Sequence, residues 1–192
     1  MMKRLAIFAS GSGTNAENLI HYFADSQHAG VSLILCNKPG AFVIKRAKNH
    51  NVPFMVFDRS QFYGSSEVLQ VLLDHQIDFI ILAGFLWLVP SEILEAFPGS
   101  VINIHPALLP KYGGKGMYGE RVHQEVIKNR EPESGITIHL VDELYDQGQN
   151  IFQTTCPVFP EDEPKTLAAR IHELEYAHFP VVIEEFVKKT LD

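Results

Sequence analysis

The chain predicts an α/β fold: a doubly wound, mostly parallel sheet with an antiparallel addition in its C-terminal part and a long final helix. Three observations carry this reading. Short apolar runs alternate with longer amphipathic stretches through the first half of the chain, and a glycine-rich loop joins the first run to the first such stretch. Beyond Pro110 the pattern changes to alternating strands around a polar turn.

The first strand is expected over residues 5–9, with a helix over 15–25 that offers Leu19, Ile20, Tyr22 and Phe23 to the interior. A second strand over 33–36 precedes a helix over 41–49, and a third over 54–57 precedes a helix over 66–75 carrying Val68, Leu69, Val71, Leu72 and Leu73. Strands four and five are expected at 79–83 and 101–104. Their near-continuous apolar character fits a sheet covered on both faces. Residues 136–141 alternate, and 151–157 offer a further strand beyond the turn Asp146-Gln147-Gly148-Gln149-Asn150, as for antiparallel neighbours at a sheet edge. A helix over 164–187 closes the chain, with Pro180 expected to kink or break it. No repeat, linker or low-complexity segment divides the sequence, so residues 1–192 read as one domain.

Composition removes several function classes. Sixteen Lys and Arg against 23 Asp and Glu give a net charge of -7, which speaks against a nucleic-acid binder. No apolar run reaches the ~20 residues of a membrane span, and Lys3-Arg4 before the short run 5–9 is too brief for a signal peptide. Cys36 and Cys156 sit in separate apolar runs and form no disulfide framework, as expected of reduced core residues in a cytoplasmic protein.

Ser10-Gly11-Ser12-Gly13-Thr14-Asn15 ends the first strand and opens the first helix. Backbone N–H groups and the helix dipole favour an anion there, and Ser12, Thr14 and Asn15 add donors. Gly11, Gly13 and Ala16 also fit the looser dinucleotide fingerprint, so a nicotinamide- or nucleotide-binding module is a rival reading. That rival needs an acid at the end of strand two, where the chain reads Cys36-Asn37-Lys38; a phosphate monoester fits better.

Asn103 and His105 stand one residue apart at the end of strand five, so both project from one face near the carboxyl edge of the sheet. Pro106 ends the strand. An amide able to donate to an oxyanion beside an imidazole able to move a proton suits acyl-type transfer.

These segments, with Leu82-Ala83-Gly84-Phe85, Leu108-Leu109-Pro110, Gly135-Ile136-Thr137-Ile138-His139 and Asp142-Glu143-Leu144 followed by Asp146, occur in an order that resembles the folate-dependent formyltransferases. The resemblance runs over residues 5–184, and its nearest branch is the one that formylates glycinamide ribonucleotide in purine synthesis. It implies transfer of a formyl group from 10-formyltetrahydrofolate, as co-substrate, to the primary amine of that nucleotide, by Asn103, His105 and Asp146 without a covalent intermediate. In that scheme a protonated His105 helps Asn103 stabilise the oxyanion while Asp146 orients the imidazole. The resemblance also implies a phosphate site at Gly13, Thr14 and Asn15, a ribose contact at Glu175, and a folate pocket at Leu86, Trp87, Leu88, Val89, Asn103 and Asp142. It implies small-molecule partners only, with no nucleic acid and no membrane, and a monomer or homodimer.

No Cys/His cluster is visible along the chain, so no metal is expected; His21, His28, His50 and His75 read as surface residues, while His139 could face the site. Residues 111–119 run longer than the common family version, and their four glycines suit a lid over bound substrates. No arginine for the folate tail stands near residues 62–66, and His172 occupies a position where some relatives carry an amide. Within folate chemistry the rivals are a formyltetrahydrofolate hydrolase, whose relatives carry an extra N-terminal domain, and a methionyl-tRNA formyltransferase, which carries a C-terminal one.

Overall fold

The computed structural model describes residues 2–190. Within them seven strands form one sheet: β1 (Lys3–Ala9), β2 (Ala29–Cys36), β3 (Phe54–Val56), β4 (Phe79–Leu82), β5 (Val101–His105), β6 (Glu133–Leu140) and β7 (Asn150–Pro157). Their order is β3-β2-β1-β4-β5-β6-β7; pairings through β5 are parallel, and β6 and β7 are antiparallel additions, as the alternation implied.

Among the described residues seven helices cover the sheet: α1 (Thr14–Phe23), α2 (Phe42–Asn49), α3 (Arg59–Tyr63), α4 (Glu67–Asp74), α5 (Ser91–Ala96), α6 (Glu120–Lys128) and α7 (Pro164–Lys188). Strand residues alternate between two cores. Leu5, Ile7 and Ala9 pack with Leu19 of α1, Val43 of α2, Val126 of α6 and Ile171 and Phe179 of α7. Ala6 and Phe8 pack on the opposite face with Phe62 of α3, Leu72 of α4 and Ile93 of α5. Both faces are thus dry, which is why the central strands carry apolar residues at successive positions.

The structure departs from the sequence reading in three places. Strand β2 starts at Ala29, because Ala29, Gly30 and Val31 pair with Lys3, Arg4 and Leu5 of β1, Ser32 being the extra residue at a register shift. Helices α3, α5 and α6 were not expected; α3 and α5 are too short to show a period, although Asp58 and Gln61 cap α3 reciprocally. Helix α7 runs unbroken through Pro180, whose ring is buried among apolar neighbours. Packing there compensates the one N–H a proline cannot supply.

Strand order reverses at β1, whose two neighbours β2 and β4 lead in opposite directions across the sheet. Ligands of doubly wound sheets bind at the carboxyl ends of strands beside such a reversal. The loop after β1 and the end of β5 both lie there.

Candidate active site

A cleft of about 740 Å³ opens at this edge, lined by residues 11–15, by Asn103 and His105, by residues 114–120, and by Tyr145, Asp146, His172 and Glu175.

Gly13 caps α1 with φ +73, and a β-carbon there would run into Val43 of α2. Glycine is therefore required on two counts, conformation and space. The turn leaves Thr14 and Asn15 in the first turn of α1 with their backbone N–H groups toward the cleft end. Asn15 Nδ2 donates to Glu175 Oε2 at 2.9 Å across 160 residues of sequence, and its buried Oδ1 has no partner among the described residues. Glu175 is only 5% exposed, and the same Oε2 also meets His172 Nδ1 at 2.8 Å. That hydrogen bond holds the His172 pKa above the ordinary imidazole value against the opposing effect of burial.

Asn103 and His105 sit on β5 opposite His139 and Thr137 of β6. Thr137 Oγ1 donates to Ala107 O at 2.7 Å and accepts from Leu109 N–H at 3.0 Å, which fastens the segment after β5 to the neighbouring strand. His105 is 4% exposed and donates from Nε2 to the carbonyl of Tyr112 at 2.8 Å. A carbonyl only accepts, so the proton belongs on Nε2 and the lone pair of the neutral ring on Nδ1. Asp146 Oδ2 faces that Nδ1 at 3.6 Å. Asp146 lies in the β6–β7 connection with φ +57, a left-handed conformation that only a minority of non-glycine residues adopt.

Burial lowers the His105 pKa below its ordinary value, with Asp146 and the Tyr112 carbonyl pulling the other way and His139 adding to the fall. Burial alone would raise Asp146; the adjacent His139 imidazole, the charge of His105 and the Gly114 N–H together bring it below the usual carboxylate range. Asn103 Nδ2 donates to His139 Nε2 at 3.0 Å and reaches Asp146 Oδ1 at 3.5 Å. His139 Nδ1 is tied to the carbonyl of Leu140 at 2.8 Å, which leaves Nε2 as the acceptor. Asn103, His105, Asp146 and His139 therefore form one connected group. His139 was noted from strand alternation as a residue that could face the site; its register opposite Asn103 puts it in contact.

His123 of α6 also lines the cleft, 4% exposed and with an Nδ1 that has no partner among the described residues. Burial, helped by the nearby His172, brings its pKa down to about 4. Nothing in the sequence singled it out, because α6 itself was not recognised.

The expected folate segment divides. Leu86 lines the cleft and its N–H reaches Ser10 Oγ at 3.2 Å. Trp87 packs instead with Phe57, Phe62 and Tyr63, ring centroids about 6 Å away, and Arg59 lies 5.1 Å from its ring. Val89 is in the core, and the Leu88 carbonyl accepts from Tyr63 OH at 2.8 Å. Asp142 folds back to accept from Leu144 N–H at 2.9 Å, while Tyr145 and Asp146 reach the cleft wall. Trp87, Leu88, Val89 and Asp142 thus do not line the cleft itself.

At the dinucleotide rival's test position, β2 ends in Cys36 and is followed by Asn37 and Lys38, with no carboxylate to bind a ribose.

Residues 3–183 match the formyl transferase family. The chain is 38% identical to the chloroplastic phosphoribosylglycinamide formyltransferase of Arabidopsis thaliana over 97% of its own length and 67% of that protein's. It is 35% identical to the phosphoribosylglycinamide formyltransferase of Haemophilus influenzae over 99% of its own length and 90% of the other. Among solved structures, the phosphoribosylglycinamide formyltransferase of Bacillus halodurans superposes with a TM-score of 0.88 at 38% identity, covering 98% of this chain and 97% of that one.

Proposed function

This chain belongs to the formyl transferase family, and from that premise we infer that it moves the formyl group of 10-formyltetrahydrofolate onto the primary amine of glycinamide ribonucleotide in purine synthesis. One observation carries the reading furthest: a phosphate-type glycine loop and the Asn103–His105–Asp146 group line the same cleft. A nucleotide anchored by its phosphate at Gly13, Thr14 and Asn15, with its ribose toward Glu175, extends its amine along that cleft. Leu86, Asn103 and the segment ending at Asp146 form the wall for the formyl folate.

The chemistry follows from the protonation states. The amine attacks the formyl carbon and the carbonyl oxygen takes up negative charge. Asn103 has one firm donation, to His139, and one long one, to Asp146 at 3.5 Å; the second N–H is the one free to turn to the oxyanion. Burial favours the neutral ring of His105, so at neutral pH it acts first as a base through Nδ1. The imidazolium that helps stabilise the oxyanion forms when His105 takes the amine proton, with Asp146 facing it at 3.6 Å. The proton then passes to the folate nitrogen as the C–N bond to the formyl carbon breaks. The glycine-rich residues 114–119 along the cleft support a role in excluding water, which separates transfer from hydrolysis.

Cys36 and Cys156, both free and buried, support a reducing compartment such as the cytoplasm. Among the described residues no helix is long and apolar enough to cross a membrane. Small-molecule substrates as the sole partners, and a monomer or homodimer, complete the reading.

The test is folate product formation from 10-formyltetrahydrofolate with and without glycinamide ribonucleotide. Turnover only with the nucleotide is expected; formate release in its absence would replace transfer by hydrolysis.

A further inference from the structure

Away from the cleft, three side chains on α1 and α2 bring their donor atoms to one point. Glu17 and His21 stand four residues apart on α1, on one helix face, and His50 ends α2. His50 Nε2 lies 3.1 Å from Glu17 Oε1 and 3.4 Å from His21 Nε2, and all three ligand atoms fall within 4.8 Å of one another. Bonds of about 2.0–2.1 Å in a tetrahedral zinc site put neighbouring ligand atoms about 3.3–3.4 Å apart. Two of the three separations, 3.1 and 3.4 Å, lie close to that edge. The third, between His21 and Glu17, is at most 4.8 Å, a gap that rotation of the exposed His21 can close.

Proton counting points the same way. His50 Nε2 either donates one hydrogen or accepts one. If it donates to the Glu17 carboxylate it has no lone pair for His21, and if it accepts from His21 it has no hydrogen for Glu17. One nitrogen therefore faces two partners that it cannot satisfy together, whereas a cation at the common point satisfies all three. Glu17 is also oriented from behind. Its other oxygen, Oε2, is paired with Arg46 Nη1, and Arg46 Nε donates to the Ser12 carbonyl at 2.9 Å. Such an outer partner fixes the ligating oxygen, although its positive charge opposes the ion. The two-imidazole, one-carboxylate set suits zinc-class ions rather than magnesium or calcium, which prefer all-oxygen shells.

We propose that Glu17, His21 and His50 form a surface site for a zinc-class divalent cation, with water at the fourth position, that clips α1 to the end of α2. The expectation of no metal rested on clusters along the chain, and 29 residues separate His21 from His50.

Untagged protein would be titrated with Co²⁺, followed by Zn²⁺ competition, with thermal melting in the presence and absence of Zn²⁺. Expected are one Co²⁺ per chain with a visible tetrahedral ligand-field band, its displacement by Zn²⁺, and a higher Tm with Zn²⁺. His21→Ala and His50→Ala should each weaken Co²⁺ binding at least tenfold and remove the Zn²⁺ effect on Tm, while melting as wild type without metal. His28→Ala, outside the cluster, should change neither. The absence of a ligand-field band together with an unmoved Tm would overturn the site. So would one-to-one Co²⁺ binding that survives in the His21→Ala/His50→Ala double variant, since the metal would then sit elsewhere, for example at His172 and Glu175 in the cleft.

Discussion

Asp146 and Gly114 are joined at 2.9 Å, the carboxylate Oδ2 accepting the backbone N–H of the glycine-rich loop. The same oxygen faces His105 Nδ1 at 3.6 Å. One atom therefore fastens the loop over the cleft and, in the proposed mechanism, opposes the charge that forms on the base. Shape and charge can be separated by substitution. Asp146→Asn keeps an oxygen able to accept from Gly114 but loses the charge. Its kcat should fall by ~10²–10⁴ while hydrogen exchange at Gly114 stays protected. Asp146→Ala should lose both. Equal exchange in the two variants would remove the loop from the role given to Asp146.

Histidine burial sets the acid side of the stability profile. Folded His123 refuses a proton until about pH 4, whereas the unfolded chain takes one up near 6.5. Stability is thus full above the ordinary histidine value and falls as pH drops through this window, by at most about 3 kcal/mol for a shift of this size. His105, lowered in the same direction by burial, adds to the slope. Chemical denaturation of wild type and His123→Leu across the window should show a flatter profile for the variant; parallel profiles would reject the assignment.

Two glycines of one loop should respond differently. Gly13→Ala meets Val43 and forces a left-handed residue, so a loss of ~1–3 kcal/mol and a raised KM for the nucleotide are expected. Gly11→Ala meets nothing within 4 Å and should melt as wild type. Equal Tm losses would show that the space around Gly13 is not what constrains it.

Glu175→Gln leaves a side chain able to meet Asn15 but removes the carboxylate next to His172. A nucleotide KM raised about tenfold, with kcat little changed, follows if Glu175 holds the ribose, since a hydrogen bond to a charged group contributes about 1.5–3 kcal/mol. A fall in kcat at constant KM would move Glu175 from binding to the chemical step.

Trp87→Ala separates packing from ligand stacking. The indole meets Phe57, Phe62 and Tyr63, so a loss of ~2–3 kcal/mol in stability is expected. The KM for formyl folate should stay near the wild-type value. A raised KM with unchanged stability would return Trp87 to the folate pocket.

Parts of the candidate site were legible because their signals are local. Gly13 at a strand–helix junction and the i, i+2 pair Asn103 and His105 need only neighbouring residues to be read. Asp146 came from the ordered resemblance; its place opposite His105 depends on a left-handed turn that spacing does not reveal. His139 was half legible, since strand alternation gives a face but not a partner. His123 was not, because α6 follows a glycine-rich loop and packs its histidine inward among Val122 and Val126.

By itself the sequence determined the alternation of strands and helices, the parallel-to-antiparallel change and the candidate pair Asn103 and His105, because periodicity, turn residues and strand ends are short-range properties. Only the tertiary structure decided which of these residues meet. Asn15 with Glu175, Asn103 with His139, and Glu17 with His50 are pairings across 160, 36 and 33 residues. Contacts of that range are set by strand order and helix packing, which no local pattern encodes.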